Sequence, residues 1–292
     1  MKPAGDCFKD YLELSKLKIM IPVSLTGFTG YFVFDPHLSA DLFLITTGIL
    51  LLAISATVLN QIQEADLDSK MTRTRNRPIP TGRISGRQAA FYFIFLLLCG
   101  MAIIYFSGNL KAVLAGILTI AVYNGIYTPL KRITPFAVIP GALTGALPPL
   151  IGWLAAGGGV WDKPIIFIGF LLFMGQIPHF WLLIVKYGEE YKLAGMPNLI
   201  GIFNTFQIRR LTFTWVISSV AAALFLCFFG IIQLSLITII LVVASGYLIW
   251  KFTGLLKDPE SHCNTGRYSF LLNSYFLLIM ILLISDRMIT GG

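Results

Sequence analysis

The chain has 292 residues, of which 56% are hydrophobic and only 12% charged, and its mean hydropathy is +0.79. Apolar runs of spanning length recur throughout, which excludes a soluble globular domain and predicts a polytopic membrane protein. The formal net charge of +8 could suit nucleic acid, but the basic residues are scattered among the ends of the apolar runs, where membrane orientation explains them.

At the N-terminus, residues 6–18 set Phe8, Leu12 and Ile19 among charges, which fits a short interfacial helix or an irregular tail equally well. No small-residue cleavage site follows the first apolar run, so no removable signal peptide is expected. Hydropathy then predicts nine spanning segments, at 19–34, 42–60, 89–107, 110–129, 136–156, 164–185, 212–230, 233–250 and 268–286. Each should be a helix, because a spanning segment must satisfy its own backbone hydrogen bonds. The expected fold class is therefore an all-α bundle of about nine transmembrane helices, read as one membrane domain over residues 1–292.

Of the 22 Lys and Arg residues, all but Lys111, Lys163 and Arg287 fall on the N-terminal side of this alternation. The positive-inside rule places that side in the cytoplasm, with the C-terminus opposite, in the cell inner membrane. The connections on the other side are short, whereas three cytoplasmic ones are long and carry acidic groups. Chemistry is expected at that face, with a cavity opening to it. The cysteines Cys7, Cys99, Cys227 and Cys263 are too far apart in sequence for a disulfide framework or zinc site.

The second span runs directly into "NQIQEADLDSKMTRTRNRPIPTG". Asn60, Glu64 and Asp68 recur every four residues, which puts them on one face of a continued helix. Two carboxylates so placed repel each other unless a cation lies between them, and hard oxygen donors beside an amide suit magnesium. Asp66 is half a turn away. Arg73, Arg75 and Arg77 follow, with guanidinium groups shaped for phosphate oxygens. Together these groups describe a diphosphate site, and Pro78 and Pro80 preclude a regular helix through the middle of the loop.

Further along, Tyr123, Tyr127, Lys131 and Arg132 end the fourth span, where the cations could hold a terminal phosphate and the hydroxyls could donate to it. In the fifth, Gly141, Ala142, Gly145 and Ala146 read as close helix packing, and Pro148 and Pro149 as a kink. Pro178 and His179 lie inside the sixth span, where an ionisable residue points to function. Phe180 and Trp181 beside them are candidates to line an apolar tunnel. Glu189 and Glu190, flanked by Lys186 and Lys192, form a second acidic point after that span. The stretch near 256–270, with Asp258, Glu260, His262 and Arg267, has no metal-ligand spacing.

The loop motif resembles the N-x3-(D/E)-x3-D and R-T-x-x-R-P signature of the UbiA superfamily of intramembrane prenyltransferases, and especially its protoheme IX farnesyltransferase branch. "DYLELSKLKIMIPVSLTGFTGYF", "YNGIYTPLKRITPFAVIPGALTGALPPLIGW" and "QIPHFWLLIVKYGEEYKLAGMPN" extend the resemblance in order along most of the chain. It implies transfer of a farnesyl group from farnesyl diphosphate to a vinyl group of heme b, with water completing the product. It also implies Asn60, Glu64, Asp68 and Glu190 as magnesium ligands and catalytic groups, with Lys131 also catalytic. Arg73, Arg77, Tyr127, Lys131, Arg132 and Lys186 would hold the diphosphate, and His179 the heme. The product would pass to heme A synthase or a terminal oxidase. Glu190 departs from the branch, which usually has Asp there, and "AGMPNLI" departs from its more common pattern. An aromatic, chlorin or glycerol-type acceptor is the alternative for the same reaction. A transporter is a remote one, since transport predicts ionisable residues deep within several spans.

Overall fold

The structure, a computed structural model, describes residues 4–197, 199–257 and 264–291. Every regular element among them is helical, and nine helices are long and apolar enough to cross a membrane. In chain order they are α1 (Ala4–Ser15), α2 (Leu17–Phe34), α3 (Ala40–Gln63), α4 (Ala65–Asp68), α5 (Gly86–Ser107) and α6 (Leu110–Ile120). A π-helical turn, Ala121–Tyr127, leads into α7 (Thr128–Leu130), followed by α8 (Val138–Ala155), α9 (Lys163–Leu193), α10 (Thr205–Phe228), α11 (Ser235–Phe252) and α12 (Thr265–Thr290).

Polar residues at the span edges start these helices. Ser39 and Asn109 accept hydrogen bonds from the Leu42 and Ala112 N–H groups. Ser85 with Gln88, and Asn204 with Gln207, form reciprocal capping boxes. At the Gly230–Leu234 turn the buried Asp286 carboxylate accepts from the N–H groups of Gln233 at 3.0 Å and Leu234 at 2.9 Å, fixing the α10–α11 connection to the end of α12.

Consecutive spanning helices pack side by side and α12 returns to α2, closing a ring, while α2 also packs directly against α8 across it. Glycines permit that crossing. A Cβ on Gly30 would stand 2.0 Å from the Pro149 carbonyl oxygen, and one on Gly152 2.0 Å from that of Gly27. Backbones this close gain dispersion contact, the main association force where lipid is as apolar as the side chains. One apolar cluster joins α2, α3, α6 and α8, and another joins α9 to α12. α8 continues as helix through Pro148 and Pro149, whose backbone meets the α2 glycines.

The helix ends differ from the hydropathy reading where charged residues extend a helix beyond the apolar run. The sixth spanning helix, expected to end at 185, continues to Leu193, because Lys186, Glu189, Glu190 and Lys192 lower hydropathy while keeping good helix propensity. The seventh begins at Thr205 rather than 212, carrying Arg209 and Arg210 inside it. At the N-terminus the segment is helical rather than an irregular tail: α1 exposes Phe8 and Leu12 and buries Asp10 and Leu14. Asp10 and Glu13 both pair with Arg83, at 2.5 and 2.9 Å. Asp258, Glu260, His262 and Cys263 lie outside the described residues.

Candidate active site

The site begins where α3 ends. Glu64 leaves helical geometry, with φ −110° and ψ 9°, yet its N–H still bonds the Asn60 carbonyl and the Asp68 N–H bonds its own. The one-face spacing therefore survives a break in the helix. Asn60, Glu64 and Asp68 are 4%, 6% and 2% exposed. Buried carboxylates require partners, and each has one: Lys131 pairs with Glu64, and Arg77 donates to Asp68 at 2.6 Å. The Asn60 amide nitrogen donates to the Thr128 hydroxyl at 3.1 Å, leaving its carbonyl oxygen as the free end. Thr74 donates to the Asp68 carbonyl at 2.9 Å and ties the arginine loop to the acidic turn.

The π-helical turn forms the facing wall. It stacks Tyr123 on Tyr127, with ring centroids 5.5 Å apart, and the Lys131 ammonium lies 5.2 Å from the Tyr127 ring. Asn124 donates to the Ala56 carbonyl at 2.9 Å, and Gln63 donates to the Asn124 carbonyl at 3.0 Å, so this widened turn is bonded directly to α3. Phe180 of α9 meets the Tyr127 ring at 5.8 Å, and Gly141 leaves room for that ring. π-helical turns recur at functional sites because they displace side chains from regular register.

The second acidic point meets this cluster at its edge. A Glu190 carboxylate oxygen accepts from the Arg73 N–H at 3.4 Å. The Arg73 guanidinium and the Lys186 ammonium each lie 4.9 Å from the Tyr187 ring. Leu67, Met71, Ala194 and Met196, with Tyr191 against them, form a small apolar clamp between the acidic turn and the end of α9. Glu189 is exposed.

Three residues singled out from the sequence lie outside this cluster. Arg132 donates to Asp66 at 2.8 and 3.1 Å on the exposed side of α4, so it does not join Lys131 at Glu64. It holds the Asp66 carboxyl below the usual carboxylate range by that hydrogen bond. His179 pairs with Asn273 of α12 and lies eleven residues before Glu190, about 16 Å along the helix axis at 1.5 Å per residue. Trp181 is buried against Trp215 of α10, away from the Tyr127 wall, at a centroid distance of 6.3 Å.

Lys16 is a member of the cluster that charge spacing did not single out. It joins α1 to α2 in the left-handed conformation, φ 46°. Its amine senses Arg77, Asp68, Glu64 and Lys131, and desolvation, ahead of the neighbouring Arg77 charge, pulls it down to about 7. The one sequence signal was its position immediately before an apolar span. Gln63, Asn124 and Thr128 were likewise legible only as polar residues near the ends of apolar runs.

Among the described residues no three His, Cys, Asp or Glu side chains gather to hold a metal by themselves. The donor set still fits magnesium, which commonly takes one or two carboxylates and completes its shell with substrate phosphates and water. Glu64, Asp68 and the Asn60 carbonyl oxygen supply the hard oxygens, and the surrounding cations suit the anion that would complete the shell.

A model of the UbiA prenyltransferase family matches residues 22–275. The chain belongs to this family. A UbiA-family relative from Oleidesulfovibrio alaskensis, a protoheme IX farnesyltransferase, is 33% identical over 280 residues, covering 96% of this chain and 97% of the relative. A protein of the same name from Vesicomyosocius okutanii is 30% identical over 95% of each chain. Among solved structures, a digeranylgeranylglyceryl phosphate synthase superposes with a TM-score of 0.77 at 18% identity, covering 97% of this chain and 99% of that one. A UbiA homologue from Archaeoglobus fulgidus bound to GPP and Mg2+ gives 0.73 at 17% identity, covering 97% of this chain and all of that one, and it shares the fold.

Proposed function

We propose that the chain transfers a farnesyl group from farnesyl diphosphate to a vinyl group of protoheme IX, heme b, producing heme O and releasing diphosphate. The observation that carries this reading is the nearly full-length match to relatives bearing the protoheme IX farnesyltransferase name, joined to a buried polar cluster whose chemistry suits a diphosphate.

The chain's own residues divide the work. Arg77, Lys131 and Lys16 would meet the diphosphate oxygens, and Arg73 and Lys186 would close over them from the edge. Asn60, Glu64, Asp68 and Glu190 would hold magnesium, which when bound neutralises charge on the diphosphate as the allylic C–O bond breaks. Arg77 and Lys131 are already fixed by Asp68 and Glu64, so little reorganisation is needed as the leaving group gains charge. The faces of Tyr127 and Phe180 would shield the allylic cation from water and stabilise it. The vinyl carbon then forms the new C–C bond, and water adds to the remaining cationic carbon and loses a proton. His179, oriented by Asn273, would offer its other ring nitrogen to the heme iron.

The reading places the protein in the cell inner membrane with its N-terminus in the cytoplasm, its C-terminus opposite, and the cavity open to the cytoplasmic face. The product would supply heme A synthase or a terminal oxidase. The test is to incubate the purified protein with hemin, farnesyl diphosphate and magnesium and weigh the extracted heme. A mass gain of one farnesyl group plus one hydroxyl group is expected. Unchanged heme together with turnover of a phenolic acceptor would overturn the heme assignment.

A further inference from the structure

Arg83 belongs to the same basic loop as Arg73 and Arg77, yet its guanidinium is engaged by α1. One nitrogen donates to the Asp10 carboxylate at 2.5 Å, and another pairs with Glu13 at 2.9 Å. The second nitrogen also donates to the Asn76 carbonyl at 2.5 Å, and Nε donates to the Thr81 hydroxyl at 3.1 Å. Donors fixed in a planar fork can hold two chain segments at once, which a single ammonium cannot do in the same geometry.

Each segment leads to a cation of the candidate site. On the loop side, the Thr81 hydroxyl donates to the Arg77 carbonyl at 2.8 Å, and the Ile84 N–H bonds the Pro78 carbonyl at 3.1 Å. Gly82, at φ 71°, permits that tight turn, and Arg77 reaches from it to Asp68. On the α1 side, the three residues before Lys16 are anchored to three different elements. Glu13 pairs with Arg83, the Leu14 carbonyl accepts from Gln61 of α3 at 2.8 Å, and the Ser15 hydroxyl shares a 2.9 Å hydrogen bond with Tyr92 of α5. Lys16 then adopts the left-handed conformation, which a residue with a Cβ keeps only where its surroundings hold it. Two short chains of bonds, one ending at Lys16 and the other at Arg77, thus meet at one guanidinium.

On the diphosphate reading of the Glu64–Asp68 cluster, on which this rests, we propose that Arg83 is a positioning residue. Without touching the anion, it fixes the placement of Lys16 relative to Arg77. These like charges repel until an anion lies between them, so their spacing must be held from outside. An exposed ion pair would do this weakly, but Asp10 is 5% exposed, which shields its bond to Arg83 from water and salt.

The test measures farnesyl diphosphate binding by calorimetry, with magnesium, on the purified full-length protein in detergent. The parent is compared with Arg83→Gln, Arg83→Lys, Lys16→Met and the combinations of each Arg83 change with Lys16→Met. Arg83→Gln is expected to weaken binding about tenfold and Arg83→Lys about threefold. With Lys16→Met already present, Arg83→Gln should cost no more than about threefold further and Arg83→Lys almost nothing, because the lysine to be positioned is gone. A residue that only supports the fold would cost the same factor in both backgrounds. Unfolding temperatures in detergent check that each variant is folded, and if Arg83→Gln does not fold, Arg83→Lys carries the comparison. Unchanged affinity in the folded Arg83 variants, or equal losses with and without Lys16→Met, overturns the proposal and leaves the diphosphate site standing. A parent that does not bind farnesyl diphosphate overturns both.

Discussion

Two acidic stretches meet at one end of the bundle, and they are built in opposite ways. Asn60, Glu64 and Asp68 are buried, and their partners Thr128, Lys131 and Arg77 come from three different positions along the chain. Glu189 and Glu190 ride on the last turns of α9, beyond the apolar part of that helix, with a single 3.4 Å contact from Glu190 to the Arg73 backbone. The first stretch is held in place before any ligand arrives, because an unpaired buried carboxylate would be too costly. The second is reached across a small apolar clamp that a ligand could tighten. The difference teaches that similar acidic motifs can be a fixed half and an adjustable half of one site.

If the first stretch is the fixed half, Asp68→Asn should have the largest effect. It keeps the shape but removes the charge that orders Arg77, so kcat should fall on the order of 10³-fold. The protein should remain membrane-inserted and folded, checked by its unfolding temperature in detergent. Retained activity would remove Asp68 from the machinery and with it the comparison.

Lys16→Met should come next, at about 10²-fold in kcat/KM. Burial lowers this amine to about 7, so at pH 8 it is mostly neutral in the protein without ligand. An anion beside it favours the ammonium form, raising its pKa, so diphosphate binding at pH 8 should draw a proton from solvent. Calorimetry in buffers of different ionisation enthalpy should register that uptake, and Lys16→Met should lose it. Uptake undiminished in the variant would place the titrating group elsewhere.

The sequence carried the nine spans and the first stretch because both write themselves in local patterns: apolar runs, and carboxylates every four residues. Lys16 left no such mark. Its role depends on a left-handed joint that turns one lysine inward while Lys18, two residues on, stays exposed. The π-helical turn was hidden for a similar reason, since its cause is the bonding of Asn124 to Ala56 and Gln63, more than 60 residues away. The length of α9 was misjudged because hydropathy reports where a helix leaves lipid, not where it stops being helical. Trp181 reads as a tunnel candidate from its sequence neighbours, whereas in the fold it is buried with its ring against Trp215 of α10.

Glu190→Gln tests the adjustable half. A group held by one long contact should contribute less before ligand arrives, so kcat is expected to fall about tenfold, with Glu190→Asp close to the parent. KM for farnesyl diphosphate should rise in step, since a loosened edge weakens closure over the substrate. A loss as deep as that of Asp68→Asn would mean both halves are equally fixed in the working complex.

The smallest effect is expected at Arg132, and its sequence neighbour Lys131 supplies the contrast. Lys131 turns inward to the 6%-exposed Glu64, while Arg132 turns outward to Asp66 and the Gln63 carbonyl. An exposed ion pair is worth about 0–1 kcal/mol, so Arg132→Gln should change activity by no more than about twofold and stability by less than about 1 kcal/mol. Lys131→Gln leaves a buried carboxylate without its cation and removes a diphosphate partner, which should cost about 10²-fold in kcat. Measured side by side, the two variants read the direction of each side chain. Equal losses would mean that Arg132 abandons Asp66 for the diphosphate when substrate binds. The boundary between the fixed cluster and the exposed face would then have to move outward by one residue.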